Sequence, residues 1–356
     1  MNCIQLLASS ALVASSFASF ACASSSFEGD VASATGELAC DDDSPLGETL
    51  SSTGFFGAGV ETYDALAALW SDGAEKQRFV KLPCGAQIDT SDVDEWSFPR
   101  GTTLWKEFTV EGQKVETRVF KKIGDDDSAE ASWDFSAYAW NDDETEAVKA
   151  PDGAVHDATG WEIPARSTCM ECHANVPGRV IGFSALQLGH ASSSGHDGVT
   201  LASLVDDGRI THAPPREAPA VHEWSSIAKN AQLALHASCG HCHREGGIGT
   251  EYTTGQDTTG AAVPGLALRI RFEDTEASSA AMRTAVNVAL VSPLTDASGQ
   301  EITQRIVAGD PGKSGLFHRM TNRGDWTQMP PLATNVVDDE AAAAVHAWIE
   351  SLEPTP

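Results

Sequence analysis

The chain has 356 residues, with 51 acidic and 23 basic side chains and a formal net charge of −28. That balance argues against nucleic acid and anionic membrane surfaces as partners, and suits a soluble chain that docks a basic protein. Hydrophobic residues at 41% and charged ones at 21% exclude a fibrous or wholly disordered chain, and the length allows two or three cores.

The N-terminus, "MNCIQLLASSALVASSFASFACASSS", reads as a signal peptide over 1–23, apolar from Ile4 to Ala21 although without an early Lys or Arg. Ala21 and Ala23 suit a signal peptidase; in the alternative, Cys22 becomes a lipidated first residue. No later apolar run approaches the ~18 residues of a membrane span. The expectation is export to the periplasm or cell surface, free or lipid-anchored at Cys22. Cys40 and Cys84 form an even pair outside the motifs below, which an oxidising compartment would join.

Residues 24–54 are rich in Ser, Gly, Thr and Asp and predict a flexible linker. Strand patterns follow. "TLWKEFTVEGQKVETRVFKKI" alternates over two runs around a turn at Glu111–Gly112, and "SWDFSAYAWN" alternates again. A compact antiparallel β domain is expected over 55–160. Trp70, Trp96, Trp105 and Trp140 fit its core. Lys76, Arg78, Lys106 and Arg118 read either as strand-edge and surface charge or as hydrogen-bond partners for the propionates of a haem attached at the motifs described next.

Within 161–211 stands "STCMECH", and further on stands "SCGHCH". Both contain Cys-x-x-Cys-His, the pattern that attaches a haem through two thioethers and gives its iron one axial imidazole. Cysteines three apart on a helix turn reach the two vinyl groups of one porphyrin. A zinc site would bring its second Cys pair within about 20 residues, whereas 66 residues separate these two pairs. A thioredoxin-like dithiol needs neither the adjacent His nor a second copy. Two covalent haem c groups are therefore expected, on Cys169, Cys172 and His173 and on Cys239, Cys242 and His243.

A Pro-rich hinge over 212–222, "HAPPREAPAV", precedes a helical region over 223–356. Trp224, Ile227, Ala231 and Leu235 recur at helical spacing before the second motif, and Val345, Trp348, Ile349 and Leu352 form a stripe in the last helix. "TQMPPL" offers Met329 as the thioether opposite His243, on a loop stiffened by two prolines. The first motif has no such complement, since no Met lies between Met170 and Met282. His190 and His156 are the foremost candidates for its second ligand. His196, His212, His222, His236, His241, His318 and Met320 are further ones, and each has an ordinary loop or surface role as its alternative.

The order helix, haem motif, long loop, Met-Pro-Pro and amphipathic helix resembles a class I cytochrome c domain over 223–353. More widely, "LWSDGAEKQRFVKLP", "FPRGTTLWKEF", "IPARSTCMECH", "LHASCGHCH", "RIVAGDPGKSGLFHRM" and "MPPL" resemble a family of exported di-haem cytochrome-c-like proteins, themselves uncharacterised. The strand and helix patterns, with the resemblance over 223–353, predict an α+β chain: an N-terminal antiparallel β domain, a first haem segment, then an all-α class I cytochrome c-like domain. The wider resemblance implies a periplasmic or surface haem protein associated with dehydrogenases. The expected function is electron transfer between a periplasmic dehydrogenase and a respiratory acceptor. The alternative is a di-haem peroxidase-like oxidoreductase with an open first haem. No substrate or general acid–base pair is legible, so the carrier is favoured over the enzyme.

Overall fold

Six strands form one antiparallel sheet in sequence order: β1 (Glu61–Thr62), β2 (Glu75–Lys81), β3 (Thr103–Val110), β4 (Gln113–Lys122), β5 (Trp133–Trp140) and β6 (Ala147–Lys149). This is a computed structural model; it describes residues 43–127, 129–190, 198–332 and 334–354. The signal-peptide stretch, Cys22, Cys40 and His196 lie outside the described residues. Cys84 is disulfide-bonded, and its expected partner Cys40 is among those not described.

The β3–β4 hairpin turns where the sequence indicated. Glu111 and Gly112 both have positive φ, 52° and 81°, the conformation of the two-residue turns whose twist matches the flanking strands. Both faces of the sheet are covered. Val80, Leu104, Phe120 and Phe135 share a rung on one face and pack with Trp96, Phe98 and Phe183. On the other face Trp105, Val119, Tyr138 and Trp140 pack with Leu46, Leu50 and Phe55. The end of the expected linker is thus part of the core, because two leucines in it, with Phe55 just beyond it, cover the outer face. Trp96, Trp105 and Trp140 are buried as expected. Trp70 is half-buried at a cavity wall instead, its Nε1 donating to the Val336 carbonyl at 3.0 Å.

A small hairpin, β7 (Ala154–Val155) with β8 (Glu162–Ile163), leads into α1 (Arg166–His173), which holds the first motif. Arg166 docks this helix on β5, bonding Asp134 Oδ1 at 2.7 Å and lying over the Phe135 ring. Short helices α2 (Ala185–Leu188) and α3 (Leu201–Asp206) follow. The Pro-rich stretch expected as a hinge is packed: Val221 is buried with Leu186, Trp224 and Ile270, and the Ala220 N–H donates to the Phe272 carbonyl at 2.9 Å.

The region 223–356 is not the expected all-α cytochrome domain. It holds α4 (Ser226–Ser238), α5 (Ile248–Tyr252), α6 (Ala280–Thr284), α7 (Gly315–Thr321) and α8 (Asp339–Ser351). It also holds two hairpins, β9 (Gly255–Gln256) with β10 (Ala262–Val263), and β11 (Ala289–Thr295) with β12 (Glu301–Gln304). The composition of the long stretch between His243 and Met329 is the physical reason. "TGQDTTGAAV" and "ALVSPLTDASGQEITQ" are β-branched runs punctuated by Asp–Gly turns, which favour strands over helix. With only short helices around a large sheet, the chain as a whole is mixed. The β-rich and helical parts lie within one compact unit, Cys40–Pro356.

Helices α4 and α8 pack together through Ala228, Ala231, Leu235, Val345, Trp348 and Ile349. Ile227, read from periodicity as part of the α4 stripe, is exposed, and the buried stripe begins one residue later at Ala228. Asp338 caps α8, accepting from the Ala341 N–H at 3.0 Å, as the acidic start of that helix suggested.

Glu95, in the β2–β3 connection, joins the sheet side to the second motif. Its Oε1 accepts from Arg244 Nη2 at 2.6 Å and from Arg269. Arg244 also donates to the Asn175 carbonyl just beyond α1, at 2.8 Å. All three side chains are mostly buried. Replacing Glu95 with Ala strands two guanidinium groups, and is expected to cost about 2–5 kcal/mol. Denaturant unfolding checks this; a midpoint within error of the parent chain would show that the bridge carries no stability.

Candidate haem site

Both motifs open into one cavity of about 1380 Å³, larger than the roughly 300–1,000 Å³ typical of small-ligand sites. Its lining includes Cys169, Cys172 and His173 from α1, and Cys239, Cys242 and His243 beyond α4. Met329 and the adjoining Pro330 and Pro331 line it too. All seven residues expected to hold haem are thereby brought to one space. Apolar groups contribute much of the wall, among them Leu104, Phe120, Phe135, Leu235, Leu268 and Leu316. Ile248, Tyr252, Trp326 and Val336 also face it, yet are largely exposed for apolar residues.

The two motifs differ locally. Cys169 and Cys172 lie one turn apart on α1, on the same helix face. Cys239 ends α4, and the second motif continues as a turn, with the His243 N–H donating to the Cys239 carbonyl at 2.9 Å. The helix-turn placement expected for both cysteine pairs thus holds for the first and becomes a post-helical turn in the second.

The His173 ring is fixed in one tautomer. Its Nδ1 lies 2.6 Å from the Arg179 carbonyl. A carbonyl only accepts, so Nδ1 carries the proton and Nε2 keeps the lone pair. That is the arrangement by which metal-bound histidines are oriented. Phe120 stacks on the ring at 4.3 Å. Burial, opposed by the Arg179 carbonyl, pushes the pKa down to about 4, which keeps the imidazole neutral at pH 7. His243 is similarly held at about 4, by burial first, against the Leu266 carbonyl. The contact with that carbonyl falls short of standard hydrogen-bond geometry, so the buried Nδ1 is only weakly oriented. Gly249 packs against that imidazole: a Cβ there would lie 2.8 Å from its Cε1 and Nδ1.

The motifs also meet. The ligand atoms of Cys172, His241 and Cys242 all lie within 4.8 Å of one another. Burial and the Cys242 contact raise Cys172, with the hydrogen bond to Cys242 the larger cause, to about 12. Burial raises Cys239 to about 12 as well. Such thiols are protonated and have little nucleophilic or thiolate-ligand character in this state. Sequence spacing gave no sign that Cys172 and Cys242 would be neighbours.

The candidates for the second ligand of the first iron are dispersed. His156 is buried away from the cavity, its Nδ1 3.1 Å from Thr159 Oγ1. His190 Nε2 reaches the Asp64 carbonyl at 3.0 Å, and His222 Nε2 the Gly189 carbonyl at 2.9 Å. None of the three lines the cavity, nor do His212, His236 and His318, whereas Met320 and His241 do. His236 Nδ1 accepts from the Ile270 N–H at 3.0 Å, so it is a structural residue. Among residues the motifs did not name, Arg78, Lys106, Arg118, Tyr63 and Arg305 line the wall.

Two outcomes test this geometry. Gly249→Ala is expected to displace the His243 imidazole, and any metal that His243 ligates would then be held about 10- to 100-fold more weakly, the range for loss of an orienting contact; an unchanged ligand-field spectrum in the metal-loaded chain would contradict it. Burial lowers His236 from the ordinary value near 6.5 to about 3. The unfolded chain therefore binds the extra proton first, and stability is full above pH 6.5 and lost as pH falls towards 3. His236→Gln, which can still accept from Ile270, is expected to flatten that slope by at most about 1.4 kcal/mol per pH unit. Unfolding curves across this range measure it.

Comparison with protein-family models, curated proteins and solved structures finds no match to this chain.

Proposed function

We propose that the chain is an exported c-type haem protein that holds two covalently attached haems in one cavity and passes single electrons to a redox partner. The observation that supports this most is the convergence of both Cys-x-x-Cys-His motifs on one apolar-walled space, with the His173 tautomer already set for a metal at Nε2. Bound haem would supply one-electron chemistry. The chain's own residues would do the rest. Cys169, Cys172, Cys239 and Cys242 anchor, His173 and His243 ligate, and Met329 offers a thioether from the same wall. The apolar groups of the wall would shield much of a bound haem from water, which favours a small reorganisation between redox states.

Cys172 and Cys242, whose sulfurs lie within 4.8 Å of each other, would anchor the two haems from neighbouring points of the wall, and no side-chain relay between the motifs is then needed. The formal charge of −28 fits a basic partner, dehydrogenase or acceptor, with association weakening as salt rises. No helix of the described residues is long and apolar enough to cross a membrane. A second reading, a peroxidase-like oxidoreductase, is favoured by the placement of His156 and His190 outside the cavity, where neither could hold an iron bound by His173.

Pyridine haemochrome on the full chain, produced with haem-attachment machinery, is expected to give two haems per chain, and Soret circular dichroism to show the paired lobes of neighbouring porphyrins. Zinc and no haem, bound through Cys172, His241 and Cys242, would overturn the proposal. A high-spin iron that binds cyanide or carbon monoxide would replace the carrier by the peroxidase-like reading.

A further inference from the structure

One face of the sheet presents an unusual row to the cavity. Arg78 on β2 stands directly opposite Lys106 on β3, which stands directly opposite Arg118 on β4. All three line the cavity. Lys76, on the same face two residues before Arg78, extends the group, its Nζ donating to the Leu69 carbonyl at 2.7 Å. Like charges directly opposite on neighbouring strands repel and destabilise a sheet, and mostly buried cations cost more still unless paired.

The neutralisation available in the chain is small. Glu116, fully buried, takes Arg118 in a two-point contact at 2.6 and 3.0 Å and also accepts from Trp161 Nε1 at 3.0 Å. Neither Arg78 nor Lys106 has a hydrogen-bond or ion-pair partner for its cationic head among the described residues; Lys106 only faces the Phe108 ring at 5.1 Å. The acids that share the cavity wall do not answer them. Asp72 accepts from the Asn335 and Val336 backbone N–H groups, and Glu162 and Glu171 are exposed. A chain with more than twice as many acids as bases thus places a row of cations where none of these acids pairs with Arg78 or Lys106. Burial, and then Arg78 and Arg118, push the Lys106 ammonium well below the ordinary lysine value; an anion beside it would restore the charged form, and would then be held by charge as well as by hydrogen bonds.

We propose that the Arg78–Lys106–Arg118 row is the binding site for the paired carboxylates of the cavity's occupant, which on the reading above are the propionates of the haem attached at Cys169 and Cys172. The inference rests on that reading. It assigns the two arginines to fork contacts with carboxylate and the lysine to a point charge between them. These are positioning residues, acting on the haem's carboxylates rather than on its iron.

The test is a potentiometric titration of the full two-haem chain and of Arg78→Gln/Lys106→Gln, with Raman spectra of the propionate-bending bands. In the double variant one wave is expected to shift, its reduced-to-oxidised ratio falling about tenfold at fixed potential, equivalent to 59 mV for one electron. The other wave should stay, and the propionate bands should move. Removing unpaired buried charge is not expected to unfold the chain, and Lys106→Arg, which keeps the charge, should preserve the parent potential. A shifted wave with unmoved propionate bands would overturn the inference, since a distant charge could do that alone. So would unmoved waves, or a spin-state change in Lys106→Arg, which would make the lysine an iron ligand. Fewer than two haems in the parent chain would instead defeat the underlying reading, and the inference with it.

Discussion

Glu95 holds together what the rest of the molecule arranges. One carboxylate oxygen receives both Arg244 and Arg269, and Arg244 reaches on to the Asn175 carbonyl beyond α1. Three segments far apart in sequence are thus tied at one point: the β2–β3 connection, the exit from the first motif, and the residue after His243. Charge-assisted bonds between mostly buried groups are directional and costly to break, so they set a distance as well as an energy. The result is that Cys172 and Cys242 lie side by side and the two motifs open into one space.

The sheet contributes a wall as well as a scaffold. Its outer face is sealed by Leu46, Leu50 and Phe55, which leaves the other face to serve two purposes. The rung of Val80, Leu104, Phe120 and Phe135 joins the core and stacks Phe120 on the His173 ring. The next rung, one strand-pair step along, changes from hydrocarbon to cation. A flat ligand with an apolar body and anionic edge would meet both chemistries in the right order. This polarity arises from a two-residue period on three strands in register, a simple consequence of pleating.

Much of the local structure was legible in the residues. The β3–β4 turn at Glu111–Gly112, the alternating runs, the capped and striped α8, and α4 running up to Cys239 follow from period and turn chemistry. The expected all-α domain over 223–356 did not hold. Its two ends carry helical patterns, and the pattern between His243 and Met329 was too turn-rich to be helix, which the resemblance to a class I cytochrome c obscured. Ile227 and Trp70 show the same limit at single residues. Periodicity places a side chain on a face but does not say whether a neighbour arrives to cover it.

By itself the sequence determined the chemistry on offer: two Cys-x-x-Cys-His motifs, one Met-Pro-Pro loop, and an acidic chain with a few cations on alternating strands. Those depend on residue identity and near-neighbour spacing, which are one-dimensional. The tertiary structure alone decided that the motifs share a cavity, that His173 donates from Nδ1 to Arg179, that His156 and His190 stand apart from it, and that Arg78, Lys106 and Arg118 form one row. The His173–Arg179 bond closes a local turn of six residues; the others depend on contacts between distant segments, settled by packing and buried charge pairing once the whole chain has closed.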